Sequence, residues 1–183
     1  MKTNRTLKLI TLTAAIFGFA ATSFAQNEAS ATAVASAGII TPITIQGTDL
    51  RFGTIFSSSS PLTATVTPDG QLTGTGVTEY NGTGNVSHQP ATFTVNGNEN
   101  NTFVINVTNL PTVVTHATES GVTMAIGNWT STGSIIDFET GSGVSQLVNG
   151  VKTFSIGATL SIGASQTSGS YTSDSFTVTV NYN

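Results

Sequence analysis

Apolar and polar residues alternate with a period of two along much of this chain. The longest run places Phe154, Ile156, Ala158, Leu160 and Ile162 between Ser155, Gly157, Thr159, Ser161 and Gly163. That spacing predicts a strand with one buried face. Residues 175–183 repeat it, with Phe176, Val178, Val180 and Tyr182 on one side, so the sequence ends inside a predicted strand. Phe93 and Val95, the turn residues Gly97-Asn98-Glu99-Asn100, and then Phe103, Ile105 and Val107 predict a hairpin. Residues 62–67 and 72–77 predict a second one around Pro68-Asp69-Gly70.

Further strands are expected at residues 50–55, with a bulge at Gly53, and at 111–115 and 122–126. Residues 81–90 read as a polar loop and 130–150 as an irregular, extended connection. Helical periodicity is missing after the first 25 residues, and no period of 20–50 residues marks a solenoid. The implied fold class is all-β, with strands at the spacing of a sandwich.

The beginning of the chain has a different pattern. Lys2, Arg5 and Lys8 precede an apolar run from Leu9 to about Ala21, and Ser23-Phe24-Ala25 supplies small residues. This predicts a signal peptide over residues 1–25, cleaved before Gln26, too short to serve as a membrane anchor. No later stretch is long enough to span a membrane. The mature protein is therefore expected to be exported. Beyond the leader, Ala29, Ala31, Ala33, Ala35, Ala37, Ile39, Ile43 and Ile45 all occupy odd positions. Residues 26–46 thus form an extension able to pair as a strand, and 47–183 form the sandwich domain.

Charge narrows the set of partners. Three of the five basic residues lie in the leader, leaving Arg51 and Lys152 against nine acidic residues. Such a surface repels phosphate backbones, which argues against nucleic acid. Cysteine is absent, so stability must come from the core and the strand ladders.

Catalytic chemistry finds little to work with. His88 and His116 are the two histidines; neither sits in a motif, and both are expected at the surface. Asp137 and Glu139 are two apart and would share a strand face, but no calcium-ligand spacing surrounds them. No enzyme, cofactor or metal site is indicated. Trp129 and Tyr80 present aromatic faces for sugar stacking, although a lone Trp beside an apolar strand more often caps a core.

Leu50-Arg51-Phe52-Gly53-Thr54-Ile55, Leu160-Ser161-Ile162-Gly163-Ala164, and Gly169-Ser170-Tyr171 with residues 176–182 resemble a family of exported bacterial domains of unknown function. Its members are similar to fimbrial and spore-coat-type pilin domains. The resemblance covers nearly all of the chain after the leader, on short motifs of low complexity. It implies an immunoglobulin-like sandwich short of one strand, with Tyr182 in the place of the tyrosine that ends the last strand of chaperone–usher pilins.

On that resemblance, Phe176, Val178, Val180 and Tyr182 line the strand beside an acceptor groove. Ala29, Ala31, Ala33, Ala35, Ala37 and Ile39 form the strand donated to a neighbour. The implied partners are other copies of the chain, joined head to tail, with a periplasmic chaperone and an outer-membrane usher. The implied function is a non-catalytic subunit of a cell-surface filament; the alternative is a secreted monomeric module that binds carbohydrate or another surface ligand. Two features depart from the pattern. Five of the six donor positions are alanine, which bury little area and define register weakly, and the disulfide of many such pilins is missing.

Overall fold

The computed structural model describes residues 28–183; the expected leader lies outside them. Among the described residues, two curled antiparallel sheets contain every strand, all within Ile39–Asn183. The larger sheet is built on β10 (Val151–Ile162), where Phe154, Ile156, Ala158, Leu160 and Ile162 are buried and the intervening hydroxyl residues face outward. One edge of β10 pairs in tandem with β4 (Ala91–Asn96) and β2 (Leu62–Val66); the other pairs with β7 (Thr123–Ser131). A Cβ at Gly157 would land on the carbonyl oxygen of Val66, so glycine is required where β2 leaves and β4 takes over. The register with β7 shifts at the same point, between Gly157 and Thr159.

The same sheet adds β1 (Thr44–Gly47) outside β4, β3 (Leu72–Thr73) beside β2, β6 (Val113–His116) beside β7, and β11 (Tyr171–Thr172) beside β6. The smaller sheet runs β12 (Thr177–Tyr182), β5 (Thr102–Thr108), β9 (Ser142–Gln146) and β8 (Ile136–Asp137).

Two clusters make the core. One joins the sheets: Ala91, Val95, Phe154 and Ile156 meet Phe103, Ile105, Val107, Ile136, Leu147 and Val180. The other is drawn from the larger sheet alone, with Leu62, Ala64, Val114, Met124, Ile126, Leu160 and Ile162. Each large side chain buried here stabilises the fold by about 1.5–3 kcal/mol.

All-β architecture is as expected, but the connections differ in four places. β4 and β5 do not form a hairpin: each pairs with other strands, in different sheets. Residues 97–101 carry the chain across the core, because both strands bury apolar side chains and meet face to face instead of edge to edge. Residues 50–55 form no strand. They make isolated bridges, Arg51 to Gln89 and Ile55 to Glu79, while Leu50, Phe52 and Ile55 cover the second cluster. The partner of β2 is two residues long, since Gly74 turns away at a φ of 144°.

The expected irregular connection at 130–150 holds β8, β9 and an Asn-Gly turn. Val148 and Val151 exchange backbone bonds of 3.2 and 3.1 Å, with Asn149 and Gly150 at positive φ of 54° and 77°.

Candidate functional site

The two sheets each leave a strand edge open on the same side of the molecule. β12 pairs with β5 alone. The Asn183 N–H donates to Thr102 O at 3.1 Å, which fixes the parity of that ladder. Thr177, Thr179 and Asn181 turn their backbone groups towards β5. Val178, Val180 and Tyr182 turn theirs outward, while their side chains face the core. Among the described residues these outward groups have no backbone partner.

β1 is the matching edge. The Thr48 N–H donates to Thr92 O at 2.9 Å, so Thr44 and Gln46 bond β4, and Ile43, Ile45 and Gly47 aim their backbone groups away from it. The apolar side chains at this opening are half-buried: Ile43, Ile45, Phe176, Val178 and Tyr182 all pack on the first cluster without being enclosed by it. The other strands at sheet margins, β3, β8 and β11, are two residues long, too short to template pairing. β12, with six residues, is the long open edge.

Both ends of the opening are defined by aromatic residues. At one end the Tyr182 hydroxyl accepts the Asn98 N–H at 2.6 Å and donates to Thr41 O at 2.6 Å. At the other, Phe176 stands edge to face against Trp129, with centroids 5.5 Å apart, and against Phe93, at 6.3 Å. Phe93 in turn stacks on Phe154 at 5.4 Å, so an aromatic cluster underlies this end of the opening.

The four residues expected to line an acceptor groove, Phe176, Val178, Val180 and Tyr182, thus lie together on one face at the open edge. Ile43, Ile45, Phe93 and Trp129, which sequence reasoning did not assign to the site, share it. Ala29, Ala31, Ala33, Ala35, Ala37 and Ile39 belong to no strand among the described residues. Part of the expected extension does pair: Thr44, Ile45 and Gln46 belong to β1, a strand of the larger sheet.

His116 departs from expectation. It is 8% exposed, not at the surface. Its Nδ1 accepts the backbone N–H groups of Thr118 at 3.2 Å and Glu119 at 3.0 Å, and its Nε2 donates to Ser168 O at 3.2 Å. The ring stands edge-on to Tyr171, 4.9 Å away. Both ring nitrogens hold loops together, leaving none for proton transfer to a substrate. His88 is half-buried, with Nδ1 2.7 Å from Glu79 Oε2 and its N–H donating to Glu79 Oε1 at 3.0 Å.

Asp137 Oδ1 accepts the Glu139 N–H at 2.9 Å, within the turn between β8 and β9. That bond, with a second from the Thr140 hydroxyl, holds the Asp137 carboxyl below the usual aspartate value. Among the described residues, no three His, Asp or Glu side chains come together as a metal site would require.

Residues 43–182 match the model of a family described as a domain of unknown function, DUF4402. The match begins at Ile43, the residue before β1, and ends at Tyr182. No curated protein matches the chain.

Proposed function

The chain belongs to the DUF4402 family of domains of unknown function, and we propose that it is a non-catalytic structural subunit of a cell-surface filament. Subunits assemble when residues 28–40 of one copy add as a strand to the open edge of the next. The observation carrying this reading is the paired opening between β1 and β12. Unpartnered ladder groups line both sides, and an apolar floor lies between them. Strand addition satisfies the backbone groups and covers the floor in one step, the physics of β-augmentation. On this reading the fold is an immunoglobulin-like, pilin-like sandwich lacking one strand, and residues 1–25 direct export.

On this reading the alanines of the donor suit the opening. Phe93, Trp129, Phe176 and Tyr182 already pack on the core there, so small donor side chains complete the surface without overpacking it. A head-to-tail arrangement of identical copies leaves one edge and one extension free at the ends, and so propagates.

The test is removal of residues 26–40, which spares Thr41 and every strand. The shortened chain should form no filaments by electron microscopy and should bind a synthetic peptide of residues 28–40. A shortened chain that still polymerises, or that ignores the peptide, contradicts the reading.

A carbohydrate-binding module is the second reading, favoured by one observation. Phe56 is 54% exposed and stands edge to face with Tyr80, 5.7 Å between centroids, an aromatic platform beside the polar loop 81–90. Glycan-array binding that disappears in Phe56→Ala would support it.

A further inference from the structure

An extension that precedes an open edge on the same chain meets a choice. It can fold back into its own opening or serve a neighbour. The bonding around Thr41 and Pro42 bears on that choice, and the inference drawn from it rests on the strand-donation reading above.

For residues 28–40 to enter their own opening along β1 as a tight hairpin, the chain must reverse immediately before β1 and run antiparallel to it. In such a hairpin the reversal falls at residues 40–44, because Ile43 already presents its backbone to the opening. Two-residue hairpin loops favour turns with positive φ at the first central position. With residues 42 and 43 as the loop, that position is Pro42, whose ring locks φ near −65°. With 41 and 42 as the loop, the position falls to Thr41, a β-branched residue for which positive φ is a steric outlier.

An ordinary type I turn with proline in its favoured place remains. It would be closed by the Thr44 N–H donating to Thr41 O. The N–H is already committed, and the carbonyl is already held in another direction. The ladder parity directs the Thr44 N–H to Asn96 on β4, and Thr41 O accepts the Tyr182 hydroxyl at 2.6 Å.

We propose that Pro42 and the Tyr182–Thr41 hydrogen bond together bar the chain from completing its own sheet, so that residues 28–40 are kept for a second copy. Tyr182 acts as a positioning residue: its hydroxyl holds Thr41 O, and Asn98 N–H holds the hydroxyl in turn at 2.6 Å. The side chain sits at the end of β12 beside the point where the chain enters β1. The bond that shapes this end of the acceptor therefore also fixes the exit of the donor.

The test compares four chains beginning at Gln26, all kept dilute enough to be monomeric, for uptake of a fluorescent peptide of residues 28–40. In the first, Ala33→Asp and Ala37→Asp disable the chain's own segment and set the uptake of an open acceptor. The second is the unaltered chain, which should match the first. In the third, Thr41→Asn and Pro42→Gly supply a hairpin turn and Tyr182→Phe releases the carbonyl. Its own segment now competes at the high effective concentration of a tethered ligand, and peptide affinity should fall by about tenfold or more. The fourth combines all five substitutions and should recover the affinity of the first.

Unchanged affinity in the third chain overturns the proposal. So does a loss that the fourth does not restore, which would mean a damaged acceptor. If the first chain takes up no peptide, strand donation itself is wrong and the proposal falls with it. Low uptake in the second chain alone means that the natural sequence completes itself, which overturns the proposal and leaves strand addition standing.

Discussion

Trp129 and Phe176 meet edge to face, with 5.5 Å between ring centroids and planes 61° apart, at the seam of the two core clusters. Trp129 packs on both clusters, while Phe176 belongs to the one that spans the sheets. The contact ties the curled half of the larger sheet to the open edge of the smaller one. Trp129→Ala should therefore destabilise the fold by about 3 kcal/mol, the lower part of the range for aromatic truncation, because the residue is half-buried. Trp129→Phe should recover most of the loss. Urea denaturation of the three proteins measures both.

His116 is the buried polar anchor of the second half. His116→Phe retains a ring against Tyr171 but strands the Thr118 and Glu119 N–H groups that Nδ1 accepts. Each unsatisfied group costs about 1–3 kcal/mol. Because Thr118 and Glu119 are exposed and water can reach their N–H groups, the two losses together should stay near the lower end, about 1–3 kcal/mol in total, and amide exchange at Thr118 and Glu119 should accelerate more than at Met124 in β7.

Gly143 faces inward from β9 opposite Ile105, and a Cβ there would fall on the backbone carbonyl of Ile135. Backbone atoms cannot swing aside as a side chain can. Gly143→Ala should cost about 1–3 kcal/mol, as overpacking does, and should loosen β8 from β9. Nuclear Overhauser contacts between Ile136 and Gly143 backbone protons report the pairing directly.

Asp137 gives the fold a mild acid dependence. Its carboxyl is held below the usual aspartate value, chiefly by the Glu139 N–H and next by the Thr140 hydroxyl. A carboxyl depressed in the folded state contributes stability above its unfolded pKa and loses that contribution as pH falls through the folded value. Asp137 should titrate below a free aspartate in a carbon-detected pH series. Asp137→Asn should remove that step: the variant should be slightly less stable than the parent at neutrality and converge with it as pH falls below about 4.

The alternating runs that became β10 and β12 were legible because each buries one face and wets the other. β9 was not. Ser142-Gly143-Val144-Ser145-Gln146 puts glycine where the core residue should be and leaves Val144 57% exposed on the outer face, an inversion forced by the nearby Ile135 carbonyl. β4 and β5 misled for another reason. A turn between two alternating strands looks the same whether they pair edge to edge or pack face to face across a core. Asn149-Gly150 between Val148 and Val151 was a usable turn signal inside a region read as irregular.

At the candidate site, the face shared by Phe176, Val178, Val180 and Tyr182 could be read from spacing. That Ile43, Ile45, Phe93 and Trp129 join it could not, since they arrive from segments 47 to 139 positions away. The burial of His116 was equally hidden, because its partners are backbone groups of two loops and leave no pattern of residue types.

Amide exchange along β12, residue by residue, tests the open edge most directly. In the chain with Ala33→Asp and Ala37→Asp, Thr177, Thr179 and Asn181 should be protected by β5, and Val178, Val180 and Tyr182 should exchange quickly. Adding a peptide of residues 28–40 should slow those last three amides and leave the first three as they were. If Val178, Val180 and Tyr182 exchange equally fast with and without the peptide, no strand is accepted at this edge and the filament account is wrong.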